Sequence, residues 1–146
     1  MIRKNRILSN EQAGIFCNER CHPVIQENEI KQNSKAGVLI KTGATPTVLK
    51  NTIEEGKEAG VYVFEKGAGI IQENIIRGNR NAGLLVTTKG SPHVIKNVLS
   101  KNSYEGIWIC KEGGGTFCDN DLRGNLKGCK DIEKNCNVTW VGNTES

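Results

Sequence analysis

Residues 48–70, VLKNTIEEGKEAGVYVFEKGAGI, decide the fold. The stretch reads aliphatic, basic, Asn, aliphatic, a polar run, then Ala-Gly and two alternating apolar residues, and the pattern starts again. Asn51 has counterparts at Asn5, Asn28, Asn74, Asn97 and Asn120, each 23 residues from the next. Gly60 is matched at the same spacing by Gly14, Gly37, Gly83 and Gly106. A fixed period held without insertion over almost the whole chain is the signature of a solenoid, in which each unit is stable only against its neighbours.

Two kinds of short strand can be read inside each unit. After the glycine, Ile15 and Cys17, Val38 and Ile40, Val61 and Val63, Leu84 and Val86, and Ile107 and Ile109 alternate with other residues and so share one face. A second aliphatic pair flanks the asparagine: Ile2 and Ile7, Ile25 and Ile30, Val48 and Ile53, Ile71 and Ile76, Val94 and Leu99, Phe117 and Leu122. Pro23, Pro46 and Pro92 fall at one place in the repeat, which Gly69 and Gly115 fill elsewhere. That place is a corner, because proline cannot donate to a strand ladder. The period predicts an all-β, right-handed parallel β-helix of the pectate-lyase-like kind, with about six coils of 23 residues. Residues 1–128 form the repeats and 129–146 a last partial coil or a cap. A leucine-rich repeat has a similar period, but its closely spaced leucines are missing.

Stacked coils put like residues above one another. The asparagine column can then form an amide ladder, and Asn10, Asn33, Asn79, Asn102 and Asn125 make a second column that Gly56 interrupts. Asparagine also tolerates the left-handed backbone of a tight corner. Just before the first column, Lys4, Glu27, Lys50, Glu73, Lys96 and Asp119 alternate in sign, which predicts a register device on the surface. Gly128 arrives one residue early, so the period is expected to fail there. The chain opens in mid-coil, which predicts further coils in a longer protein.

Lys and Arg number 20 and Asp and Glu 16, scattered through every repeat. No basic block points to nucleic acid, and no apolar run approaches the length of a membrane span. Residues 1–5 run straight into repeat material without the apolar core of a signal peptide, so a cytoplasmic or nuclear location is expected. The six cysteines do not form the framework of a small secreted domain, since four of them crowd into the last coil and the tail. Cys17 stands where the other coils have Ile or Val, and reads as a small buried hydrophobe.

The outward position of the post-glycine strand carries the clearest functional signal. It reads Phe16, Leu39, Tyr62, Leu85 and Trp108, with Phe64 two residues beyond Tyr62 on the same face. Apolar residues stacked about 4.8 Å apart make a stripe, and such patches mark interaction surfaces. These six residues are the candidate partner-binding site, either for a separate protein or for a second copy of the chain. Many parallel β-helices process acidic polysaccharides, but of the three aspartates, Asp119, Asp121 and Asp131, the first two fall near the end of the column, and Glu27 with Glu29, or Glu54 with Glu55 and Glu58, read as exposed glutamates between lysines. No catalytic residue is assigned. Cys17, Cys21 and His22 lack metal-site spacing, so no metal or other cofactor is expected.

The wording of the repeat at 59–67, AGVYVFEKG, with Ile71-Gln72-Glu73-Asn74 and Ala82-Gly83-Leu84-Leu85-Val86, resembles the β-helix repeats of F-box-only proteins. The resemblance covers about residues 1–128. It implies a non-catalytic platform that grips a protein substrate for a cullin-type ubiquitin ligase. The alternative is a carbohydrate-binding or polysaccharide-processing β-helix.

Overall fold

The computed structural model describes residues 1–146. Eighteen short strands gather into three sheets in which every pairing is parallel, and no helix interrupts them. One turn of the solenoid contains Thr47–Leu49 in the first sheet, Thr52–Glu54 in the second and Val61–Val63 in the third. Val48 pairs with Ile25 and Ile71, Ile53 with Ile30 and Ile76, and Tyr62 with Leu39 and Leu85. All six partners lie 23 residues away, so the sequence period is the pitch of a right-handed parallel β-helix of about six turns.

The predicted inward pairs form the core. One cluster of 21 buried residues runs up the column from Ile15 to Leu122, and Ile25, Val48, Ile71, Val94 and Phe117 are fully enclosed. Cys17 lies within it. Burial pushes its thiol up to about 11, with Cys21 adding to the rise. Each coil is only one strand spacing, about 4.8 Å, thick along the axis, so a single coil could not enclose its own aliphatics.

The first asparagine column is a continuous ladder from Asn5 to Asn143. In each step the backbone N–H and the side-chain Nδ2 of one residue donate to the Oδ1 of the next, as Asn28 does to Asn51 at 2.9 Å for both. The other Nδ2 hydrogen goes to a backbone carbonyl of the preceding coil, Ile25 in the case of Asn51. From Asn28 to Asn120 these side chains are buried, and the ladder satisfies all their polar groups.

The left-handed backbone does not sit on the asparagines. It falls on the residue before each one: Lys4, Glu27, Lys50, Glu73, Lys96 and Asp119 all have φ between 55° and 58°. The ladder bonds hold each asparagine, and the strained corner is left to the exposed neighbour. That geometry also corrects the reading of the alternating charges. Of the column's neighbouring pairs only Lys50 and Glu73 meet, at 3.9 Å, while Glu27 takes Arg3 at 3.2 Å.

The register does not fail at Gly128. Cys129 takes the place of the repeat glycine, Ile107 pairs with Lys130, and Phe117 pairs with Trp140, all at the 23-residue interval. The residue types change instead. Lys130 stands where an aliphatic would point inward, places its Nζ 4.9 Å from the Trp140 ring centroid and pairs with Glu145 at 3.0 Å. The Trp140 indole N–H also donates to Glu145, at 3.1 Å, and its ring leans on Phe117. A cation, an indole and a carboxylate thus cover the last apolar layer of the column.

Candidate functional site

The third sheet lays the predicted stripe out in register. Phe16, Leu39, Tyr62, Leu85 and Trp108 are successive partners on its outer face, and Asp131 continues the file. They point outward because Val61 and Val63, and their counterparts in the other strands, point inward. Phe16 is 55% exposed, and the four residues that follow are partly shielded by one another. Phe64 lies against Tyr62, with ring centroids 4.3 Å apart and planes 21° from parallel. All six sequence-predicted residues therefore share one surface.

Aromatic residues fall on alternate coils of this file, Phe16, Tyr62 and Trp108, with Leu39 and Leu85 between them. Rings two strands apart repeat at about 9.6 Å along the axis. The Tyr62 hydroxyl lies 3.2 Å from Thr87 Oγ1, which fixes the edge of the ring pair.

Several contributors were not legible in the repeat pattern. Lys41 Nζ stands 5.8 Å from the Phe16 ring centroid and 5.6 Å from that of Phe64. At the other edge, Tyr104 is tilted against Trp108 at 6.4 Å, and Lys127 sits 3.8 Å over the Tyr104 ring. Both are cation–π arrangements that keep an ammonium beside the apolar face. Tyr104 and Lys127 belong to coils where those repeat positions change residue type, so the period gave no signal for them.

A basic rim borders the stripe. The bends that lead from the third sheet back to the first contain Arg20, Lys41, Lys66, Lys89, Lys111 and Lys134, one in each coil. Arg20, Lys66, Lys89 and Lys111 lie in left-handed turns that carry their side chains outward. Of the six only Lys41 makes an ion pair, with Glu65 at 3.7 Å. Four acidic residues, Glu19, Glu65, Glu112 and Glu133, share these bends, so the rim keeps a net positive balance of six against four. Between Phe16 and Trp108 the outward file itself carries no carboxylate.

The comparisons place this geometry among known folds. The chain is similar in structure to the crystal structure of the periplasmic alginate epimerase AlgG, with a TM-score of 0.88 and 15% identity over 98% of the chain. A double mutant of that enzyme matches with a TM-score of 0.86 and 16% identity, again over 98% of the chain. The chain spans 38% and 39% of the length of those two proteins, and at this identity the likeness is one of fold. No curated protein matches the sequence. Neither comparison points to the F-box-only proteins. The family model described as a right handed beta helix region matches residues 1–144, and the chain belongs to that family.

Proposed function

We propose that the chain binds an extended acidic polysaccharide of the uronic-acid class along the outer face of its third sheet, parallel to the solenoid axis. The observation that carries this reading is the pairing of two periodicities. Aromatic faces recur every second coil, and a basic residue recurs in every coil beside them. In a polyuronate each sugar carries one carboxylate and advances the polymer by a length close to one strand spacing, about 4.8 Å. Alternate aromatics then meet the apolar faces of alternate sugars, and the rim meets a carboxylate at each step.

The face provides stacking and charge, and it has no paired carboxylates for glycoside hydrolysis. We read it as a binding surface. The similar structures are named as an alginate epimerase, an enzyme acting on an acidic polysaccharide, and that supports the ligand class without carrying over the reaction. The protein-platform reading retains one supporting observation, the continuity of the apolar file.

Titration calorimetry with a polyuronate and with a neutral glucan tests the proposal. Binding of the polyuronate alone, weakened about tenfold (~1.4 kcal/mol) by Trp108→Ala and weakened also by added salt, is expected. Equal binding of the neutral polymer, or no change in Trp108→Ala, would remove it. Incubation followed by NMR of the polymer separates binding from catalysis: an unchanged sugar configuration is expected, and inversion at a ring carbon would make the protein an enzyme.

A further inference from the structure

The second asparagine column has a gap at Gly56, and its hydrogen bonds do not close there. In the other steps of the column the backbone N–H and the Nδ2 both donate to the Oδ1 one coil on, Asn10 to Asn33, Asn79 to Asn102 and Asn102 to Asn125. Asn33 should donate in the same way to residue 56, which has no side chain. The Asn33 backbone N–H makes no hydrogen bond, and its Nδ2 uses one hydrogen only, toward the Ile7 carbonyl at 3.3 Å. Asn33 is buried to within 1% of full enclosure. Two donors are thus aimed into one place from below.

Two acceptors face the same place. The carbonyls of Ile7, Ile53, Ile76 and Leu99 each receive an asparagine amide, and the equivalent carbonyl of Ile30 receives none. Asn79 Oδ1 accepts from the Gly56 N–H at 3.0 Å and lacks the second, side-chain donor that Asn102 Oδ1 receives. Two donors and two acceptors around a space the size of a missing carboxamide match the bonding capacity of one water molecule. Buried waters typically satisfy two to four such groups, and leaving these unmet would be costly. A net charge would find as many wrong dipoles as right ones, which argues against an ion.

We propose that the Gly56 corner is a binding site for a single internal water, held by Asn33 N–H, Asn33 Nδ2, the Ile30 carbonyl and Asn79 Oδ1. A surface cavity of about 410 Å³ is lined by Gln32, Glu55, Lys57, Gly78 and Arg80, the chain neighbours of Asn33, Gly56 and Asn79. Residue 56 has no positive φ, so an asparagine there meets no backbone strain. Its Cβ would stand 3.2 Å from Asn79 Oδ1, a contact that the amide can relax by a small rotation.

A crystal structure that resolves ordered solvent, solved for the native chain and for Gly56→Asn, is the test. The native protein should show one density peak within hydrogen-bonding reach of the four groups, and the variant should show the amide in its place. The absence of that peak, or a turned Asn33 that satisfies itself elsewhere, overturns the proposal. Thermal melts supply the second arm. Gly56→Asn should raise Tm by roughly 3 °C or more, and Gly56→Ala, which fills space without restoring the bonds, should gain less. An alanine gain as large as that of asparagine also overturns it.

Discussion

Asn74 Oδ1 accepts two hydrogen bonds from Asn51, one from its backbone N–H at 2.8 Å and one from its Nδ2 at 3.0 Å. A single oxygen therefore holds both a main-chain and a side-chain donor of the coil before it. Asn74→Ala leaves both unpaired in a buried corner, and frees the Val48 carbonyl as well. The variant should lose roughly 3 kcal/mol or more, read as a lowered midpoint in urea unfolding. A loss under about 1 kcal/mol, the size of one ordinary hydrogen bond, would show that the ladder is not a principal stabiliser.

Gly60 lies where two coils approach closely. A Cβ there would stand 2.7 Å from the Gly83 carbonyl oxygen and 2.9 Å from Asn79 Nδ2. Backbone and ladder must both shift to admit it, so Gly60→Ala is expected to destabilise by about 2 to 4 kcal/mol. Gly124→Ala is the control for space, with nothing near its Cβ, although its φ of 81° retains a backbone penalty. Thermal melts of the two should separate clearly, with the Gly60 variant the weaker.

The cysteines should differ in reactivity. Cys21 is exposed, whereas Cys17 is buried and its thiol is pushed to about 11. At pH 8 only about one Cys17 in a thousand would be thiolate even if reagent could reach it. Alkylation under native conditions, followed by mass spectrometry of peptides, should label Cys21 quickly and Cys17 only after denaturant is added. Rapid labelling of both would mean that the first coil opens readily.

Acid should loosen the C-terminal end first. Hydrogen bonds from Lys130 and Trp140 hold the Glu145 carboxyl below its ordinary value. A carboxyl with a depressed folded pKa stabilises the fold above its unfolded pKa, and that contribution disappears as pH falls through the folded value. The indole signal of Trp140 followed by NMR should therefore broaden or shift between about pH 5 and pH 2. Glu145→Gln should flatten the transition, and an unchanged transition in that variant would assign it to another group.

The column, the inward aliphatics, both asparagine files and the apolar stripe could all be read from the repeat, because each recurs at a constant interval. What escaped was what the interval does not encode. Lys41, Tyr104 and Lys127 reach the stripe through long side chains from positions whose residue type varies between coils. The left-handed residues were misplaced by one, since the asparagine side chain secures its own backbone and shifts the strain to Lys4, Glu27 and their counterparts. The loss of glycine at Cys129 looked like the end of the period, yet strand pairing sets the register and the glycine only eases close approach.

The asparagine ladders also have a direction. In each step of both ladders the Oδ1 accepts from the lower-numbered coil, so the side-chain carbonyls point the same way and their small dipoles add along the axis, whereas the strands lie across it. The solenoid thus has an electrical sense from one end to the other. A polymer bound along its flank, as proposed, would consequently not be in equivalent surroundings when its ends are exchanged.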